Sequence, residues 1–87
     1  MRLDLRRLRW RSRRKVILLL QCFDEDSCEV IFEPWGSVAT LRRDDSFRVE
    51  VMGPADLVIE IAHRPGGIQV WAEDVAAWNQ KGEPLRL

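Results

Sequence analysis

Seven arginines and one lysine fall within the first fifteen residues: Arg2, Arg6, Arg7, Arg9, Arg11, Arg13, Arg14 and Lys15. Asp4 is the only acid among them, so this segment carries a net charge of +7. A planar guanidinium makes bidentate contacts with phosphate. An arm of this density is therefore suited to a polyanion, and such binding weakens steeply with salt. Trp10 adds a ring on which a base can stack. The candidate nucleic-acid or partner-binding residues are Arg6, Arg7, Arg9, Trp10, Arg11, Arg13, Arg14 and Lys15. Residues 16–87 hold six basic groups and thirteen acids, a net charge of −7. That balance offers the arm a second counterpart, the acidic body itself, and makes an intramolecular or self-assembly role as credible as nucleic-acid binding.

The other reactive residue types are sparse. His63 is the only histidine, and Cys22 and Cys28 lack the paired spacing of a zinc site. No metal or other cofactor is expected. A nucleophilic cysteine would need a base, and only His63 is available. Both cysteines alternate with apolar residues, so they read as small buried hydrophobes with free thiols, a cross-strand disulfide being the alternative. Asp24-Glu25-Asp26 and Asp44-Asp45 fall in turns, where carboxylates are usually solvated rather than held in the contrasting environments of acid–base catalysis. Gly66-Gly67 after Pro65 marks a turn, and no phosphate-binding glycine pattern occurs. Enzymatic activity is not expected. Four tryptophans are many for 87 residues. Trp35, in a turn, and Trp71, on an outward strand face, form a candidate exposed aromatic surface.

No stretch reaches the ~20 apolar residues of a membrane-spanning helix. Ser12-Arg13-Arg14-Lys15 followed by Val16–Leu20 faintly resembles an export signal, but its apolar run is shorter than the usual ~7 residues. A cytoplasmic location is expected.

These side chains must be positioned by strands, because the apolar period is 2. Phe47, Val49 and Val51 alternate with Arg48 and Glu50, and turn signals recur every ~8–12 residues. The expected fold is all-β: a small antiparallel sandwich or open barrel of ~6–8 short strands, with residues 1–15 as a basic arm and 16–87 as one β domain. Val16–Phe23 and Cys28–Glu33 read as a hairpin across the acidic turn. Ser37–Leu41 is a third strand. Matching apolar faces pairs Val51 with Leu57, Val49 with Ile59 and Phe47 with Ile61, which sets Arg48 opposite Glu60. The next turn then pairs Ile59 with Val70 and Ile61 with Ile68, and sets Val58 opposite Trp71. The tail reads as a hairpin of Val75–Asn79 and Pro84–Leu87, or as a short helix over Ala72–Asn79. Leu3, Leu5, Leu8 and Trp10 fit a strand with a bulge at Arg6-Arg7, while Leu5 and Leu8, three apart, also fit a short helix.

The segments Glu33-Pro34-Trp35-Gly36, Asp44-Asp45-Ser46-Phe47-Arg48-Val49, Gly53-Pro54, Ile59-Glu60 and Gly67-Ile68-Gln69-Val70-Trp71 resemble a class of short, uncharacterised bacterial β proteins. More distantly they are similar to half of a cupin jelly roll, though the imidazole ligands of metal cupins have no counterpart here. The resemblance implies a fold and lends no activity. The function expected is a non-enzymatic β interaction module, self-associating through sheet edges and the tryptophan-bearing face. The alternatives are a nucleic-acid-associated accessory protein acting through the arm, and a jelly-roll-like small-ligand binder.

Overall fold

The computed structural model describes residues 13–87, which form seven strands and no helix. The strands are β1 (Arg14–Gln21), β2 (Ser27–Glu33), β3 (Ser37–Arg42), β4 (Ser46–Gly53), β5 (Glu60–Arg64), β6 (Gly67–Trp71) and β7 (Val75–Trp78). They make a sandwich of a three-stranded sheet, β1-β4-β7, and a four-stranded sheet, β3-β2-β6-β5. The all-β expectation holds, and the sandwich is open rather than a closed barrel.

The chain alternates between the layers in a regular way. β1, β4 and β7 lie in one sheet, and the intervening hairpins β2–β3 and β5–β6 lie in the other. Each hairpin is antiparallel, but β2 and β6 run parallel where the two hairpins meet. The core lies between the layers. Phe47, Val49 and Val51 of β4 point inward, facing Val30 and Phe32 of β2, Leu41 of β3 and Val70 of β6, and all seven are essentially inaccessible to solvent. Val16, Leu18 and Leu20 extend this face from β1, directly opposite Val51, Val49 and Phe47.

That arrangement corrects two expected pairings. Val16–Phe23 does not form a hairpin with Cys28–Glu33: β1 pairs with β4, and Asp24–Asp26 turns a corner between layers. Nor does 47–51 pair with 57–61. β4 is flanked by β1 and β7, and residues 54–59 cross to the other sheet. Arg48 consequently lies near Glu50 of its own strand, at 3.9 Å, rather than opposite Glu60. The physical reason is shared by both. Face matching fixes which side chains point inward, but an inward face can be buried by a strand beside it or by the opposite layer. Here the opposite layer does much of it.

Within the β5–β6 hairpin, Ile61 faces Val70 and His63 faces Ile68, two residues from the expected register. A shift of two preserves the face of every side chain. The tail is extended rather than helical: β7 is a strand, and its return is reduced to one bridge between Trp78 and Pro84, supported by Leu85 N–H donating to the Ala77 carbonyl at 2.8 Å.

Gly67 is the most crowded of the five glycines. A Cβ at this position would overlap the backbone of Glu29, with its carbonyl oxygen nearest. Glu29 N–H donates to the Gly66 carbonyl at 2.8 Å, so the parallel splice between β2 and β6 begins where two backbones touch. Gly67→Ala is therefore expected to destabilise the protein by about 2–3 kcal/mol, read as a lower denaturation midpoint. An unchanged midpoint would show that β2 and β6 can separate without cost.

Candidate interaction surface

The outer face of the four-stranded sheet follows from the register. Because Val30 and Phe32 point inward, Glu29, Ile31 and Glu33 point outward. Across the sheet, Ile31 lies between Val38 of β3 and Gln69 of β6, and Gln69 adjoins Ala62 of β5. Trp71 lies between Glu33 and Glu60. The surface thus carries Val38, Ile31, Gln69 and Ala62 in one row and Trp71 between two carboxylates in the next, with Val38 58% and Trp71 43% exposed.

Beside Trp71 the sheet ends in a cleft of about 650 Å³, walled by Pro34, Met52, Pro54, Leu57, Val58 and Trp71. Val58 is 79% exposed at its rim. The sequence places Val58 beside Trp71 as a strand partner; the structure makes them neighbours in this cleft instead, with Glu60 opposite Trp71. At the other rim Arg13 donates to Asp74 at 3.0 Å. The lining is mainly apolar and suited to holding a side chain or an apolar ligand group.

β5 is the barest element. All five of its residues are exposed, and among the described residues no strand pairs with its outer edge. Its alternation puts Glu60, Ala62 and Arg64 on the outer face of the sheet and Ile61 and His63 on the inner side. Ile61 nevertheless remains 50% exposed, because β5 lies at the margin of the layer. Sequence alternation identifies Ile61 as inward but carries no sign that its strand is an edge.

The arm residues Arg6, Arg7, Arg9, Trp10 and Arg11 lie outside the described residues. Of the others, Arg14 and Lys15 open β1, Lys15 pairs with Glu50, and Arg13 pairs with Asp74. Two cations of the basic segment are thus matched to carboxylates of the body. Trp35, 48% exposed in the β2–β3 turn, does not line the cleft to which Trp71 contributes.

The cysteines depart from expectation. Cys22 and Cys28 form a disulfide with a Cα–Cα distance of 6.1 Å, and it spans the corner between β1 and β2. The expected free thiols fail here because the residues are brought together by a change of layer rather than by strand pairing. His63 and both cysteines line a second cavity of about 440 Å³, but sulfurs joined in a disulfide cannot serve as thiolate nucleophiles. The acidic corner is braced by Arg43, which contacts Asp26 at 3.3 Å and donates to the Glu25 carbonyl at 3.3 Å. Among the described residues no cluster of three His, Cys, Asp or Glu side chains is placed to hold a metal ion.

Closing so short a loop stabilises the folded chain by about 2 kcal/mol through the unfolded state. Thiol titration of the unreduced, denatured protein should find no reactive thiol, and reduction should lower stability by about that amount. Two titratable thiols per chain before reduction would contradict the disulfide.

Comparisons with protein-family models, with curated proteins and with solved structures found no match.

Proposed function

We propose that this chain is a non-enzymatic protein–protein interaction module that self-associates through its four-stranded sheet. The observation that carries this reading is β5, an edge strand whose five residues are all exposed. An open edge presents unpaired N–H and C=O groups, and it templates the addition of another strand. The adjoining outer face supplies apolar area in Val38, Ile31 and Trp71, rimmed by Glu29, Glu33 and Glu60. An apolar centre with a charged rim is the usual anatomy of an interface.

The basic segment fits the same picture. Lys15–Glu50 and Arg13–Asp74 direct part of its charge onto the body, which supports an intramolecular counterpart over a nucleic acid for those two cations. The Cys22–Cys28 disulfide favours an oxidising compartment over the reducing cytoplasm. Among the described residues no helix is long and apolar enough to cross a membrane.

Sedimentation velocity of the full chain tests the proposal. The sedimentation coefficient should rise from monomer toward dimer as concentration increases from about 1 μM to about 1 mM, the range of weak association. A single monomeric species throughout would contradict self-association.

A further inference from the structure

The sequence of β5, Glu60-Ile61-Ala62-His63-Arg64, is complementary to itself when reversed. Turned antiparallel about Ala62, Glu60 of one copy faces Arg64 of the other, at both ends of the strand. Ile61 faces His63, and Ala62 faces Ala62. We infer that two copies of this chain pair edge to edge through β5 in this register, related by a two-fold axis through Ala62. The inference rests on the self-association reading and names its strand and its alignment.

Backbone geometry selects the same register independently. Pro65 and Gly66, the latter with φ 81°, form a two-residue turn, so Arg64 and Gly67 flank it as a hydrogen-bonded pair. In an antiparallel ladder such pairs alternate, so Glu60, Ala62 and Arg64 direct their backbone groups toward β6. The N–H and C=O groups of Ile61 and His63 then face away from it. Pairing about Ala62 sets Ile61 against His63 of the second copy, and all four groups of each strand find partners. Pairing about His63 would set Ile61 opposite Pro65, which has no N–H to donate. Pairing about Ile61 would leave Arg64 opposite Val58 and Glu60 opposite Ala62.

The side chains agree with this choice. In the Ala62 register, Glu60 and Arg64 occupy non-hydrogen-bonded positions, where facing side chains approach most closely. Charges on an edge strand ordinarily repel a second strand. Here the matched register gives each charge an opposite partner, and the registers shifted about Ile61 or His63 leave both charges without one. The two four-stranded sheets would continue as one of eight strands, each contributing its outer face to the same side. Among the described residues no other edge is so constituted: the charges of β1 are Arg14 and Lys15, β3 carries only Arg42, and β7 has none.

Five residues a side form a small interface, below the ~1,000 Å² of a stable complex, so a dissociation constant of roughly 10–100 μM is expected. The test is a charge swap read by sedimentation velocity. Glu60→Arg alone sets Arg against Arg at both ends, and Arg64→Glu alone sets Glu against Glu. Each should weaken self-association by about tenfold or more. An equimolar mixture of the two variants restores an opposite pair at each end, as does the doubly substituted chain, and both should associate as the parent does. Recovery in the mixture also shows that each variant is folded, and both substituted positions are exposed. If the parent associates but the single variants associate equally well, or the mixture fails to recover, this register is overturned while self-association stands. If the parent is monomeric throughout, the broader reading falls as well.

Discussion

The contact between Gly67 and the backbone of Glu29 is the constraint on which the architecture rests. It joins two hairpins into one sheet by a parallel pairing at its centre, with β2 and β6 as inner strands and β3 and β5 as the two edges. Only a residue without a Cβ permits that approach. With β2 and β6 joined there, Val30, Phe32 and Val70 come to lie side by side beneath β4, and the core closes over Phe47, Val49 and Val51. The same choice of centre assigns β5 to the margin. Its exposure is a consequence of topology and cannot be read from the composition of the strand itself.

The alternation between layers is the second determinant. Every link from one sheet to the other carries polar or turn-forming residues: Asp24–Asp26, Arg43–Asp45, Pro54–Asp56 and Glu73–Asp74. These segments hold much of the negative charge of the body, and the described cations answer it locally. Arg43 braces the first corner, Arg13 meets Asp74 at the last, and Asp45 accepts from the Ser46 N–H at 2.8 Å. The disulfide adds a covalent tie at the corner where β1 leaves its sheet. Exposed ion pairs contribute little to stability, so their value here lies in fixing where the chain turns.

The sequence made the strand set and the inward faces legible because both depend on local alternation. Phe47, Val49, Val51 and Val70 are buried as their period requires, and Trp71 is outward. Partners were less legible, because apolar alternation is equally satisfied by any matched strand. That degeneracy is why β1 could be assigned to β2 and β4 to β5, when the layers interleave instead. The disulfide escaped for the same reason: the distance from Cys22 to Cys28 is set by a corner whose geometry no local pattern encodes. Of the candidate binding residues, Trp71 proved to line a cleft and Arg13 to stand at its rim. The charges at Glu60 and Arg64 gained significance only once β5 was seen to be an edge.

An open edge usually invites unspecific pairing, and natural sheets suppress it with charge. In β5 the two charges have opposite sign and sit symmetrically about Ala62, so suppression and selection arise from the same residues. Amide hydrogen exchange at Ile61 and His63 tests pairing through β5 at the atoms concerned. In dilute solution both amides should exchange rapidly, since they face solvent. At millimolar concentration both should become protected together, while Arg64, already paired with Gly67, changes little. Rapid exchange of Ile61 and His63 at every concentration would contradict pairing through β5, and slow exchange in the dilute monomer would contradict an open edge.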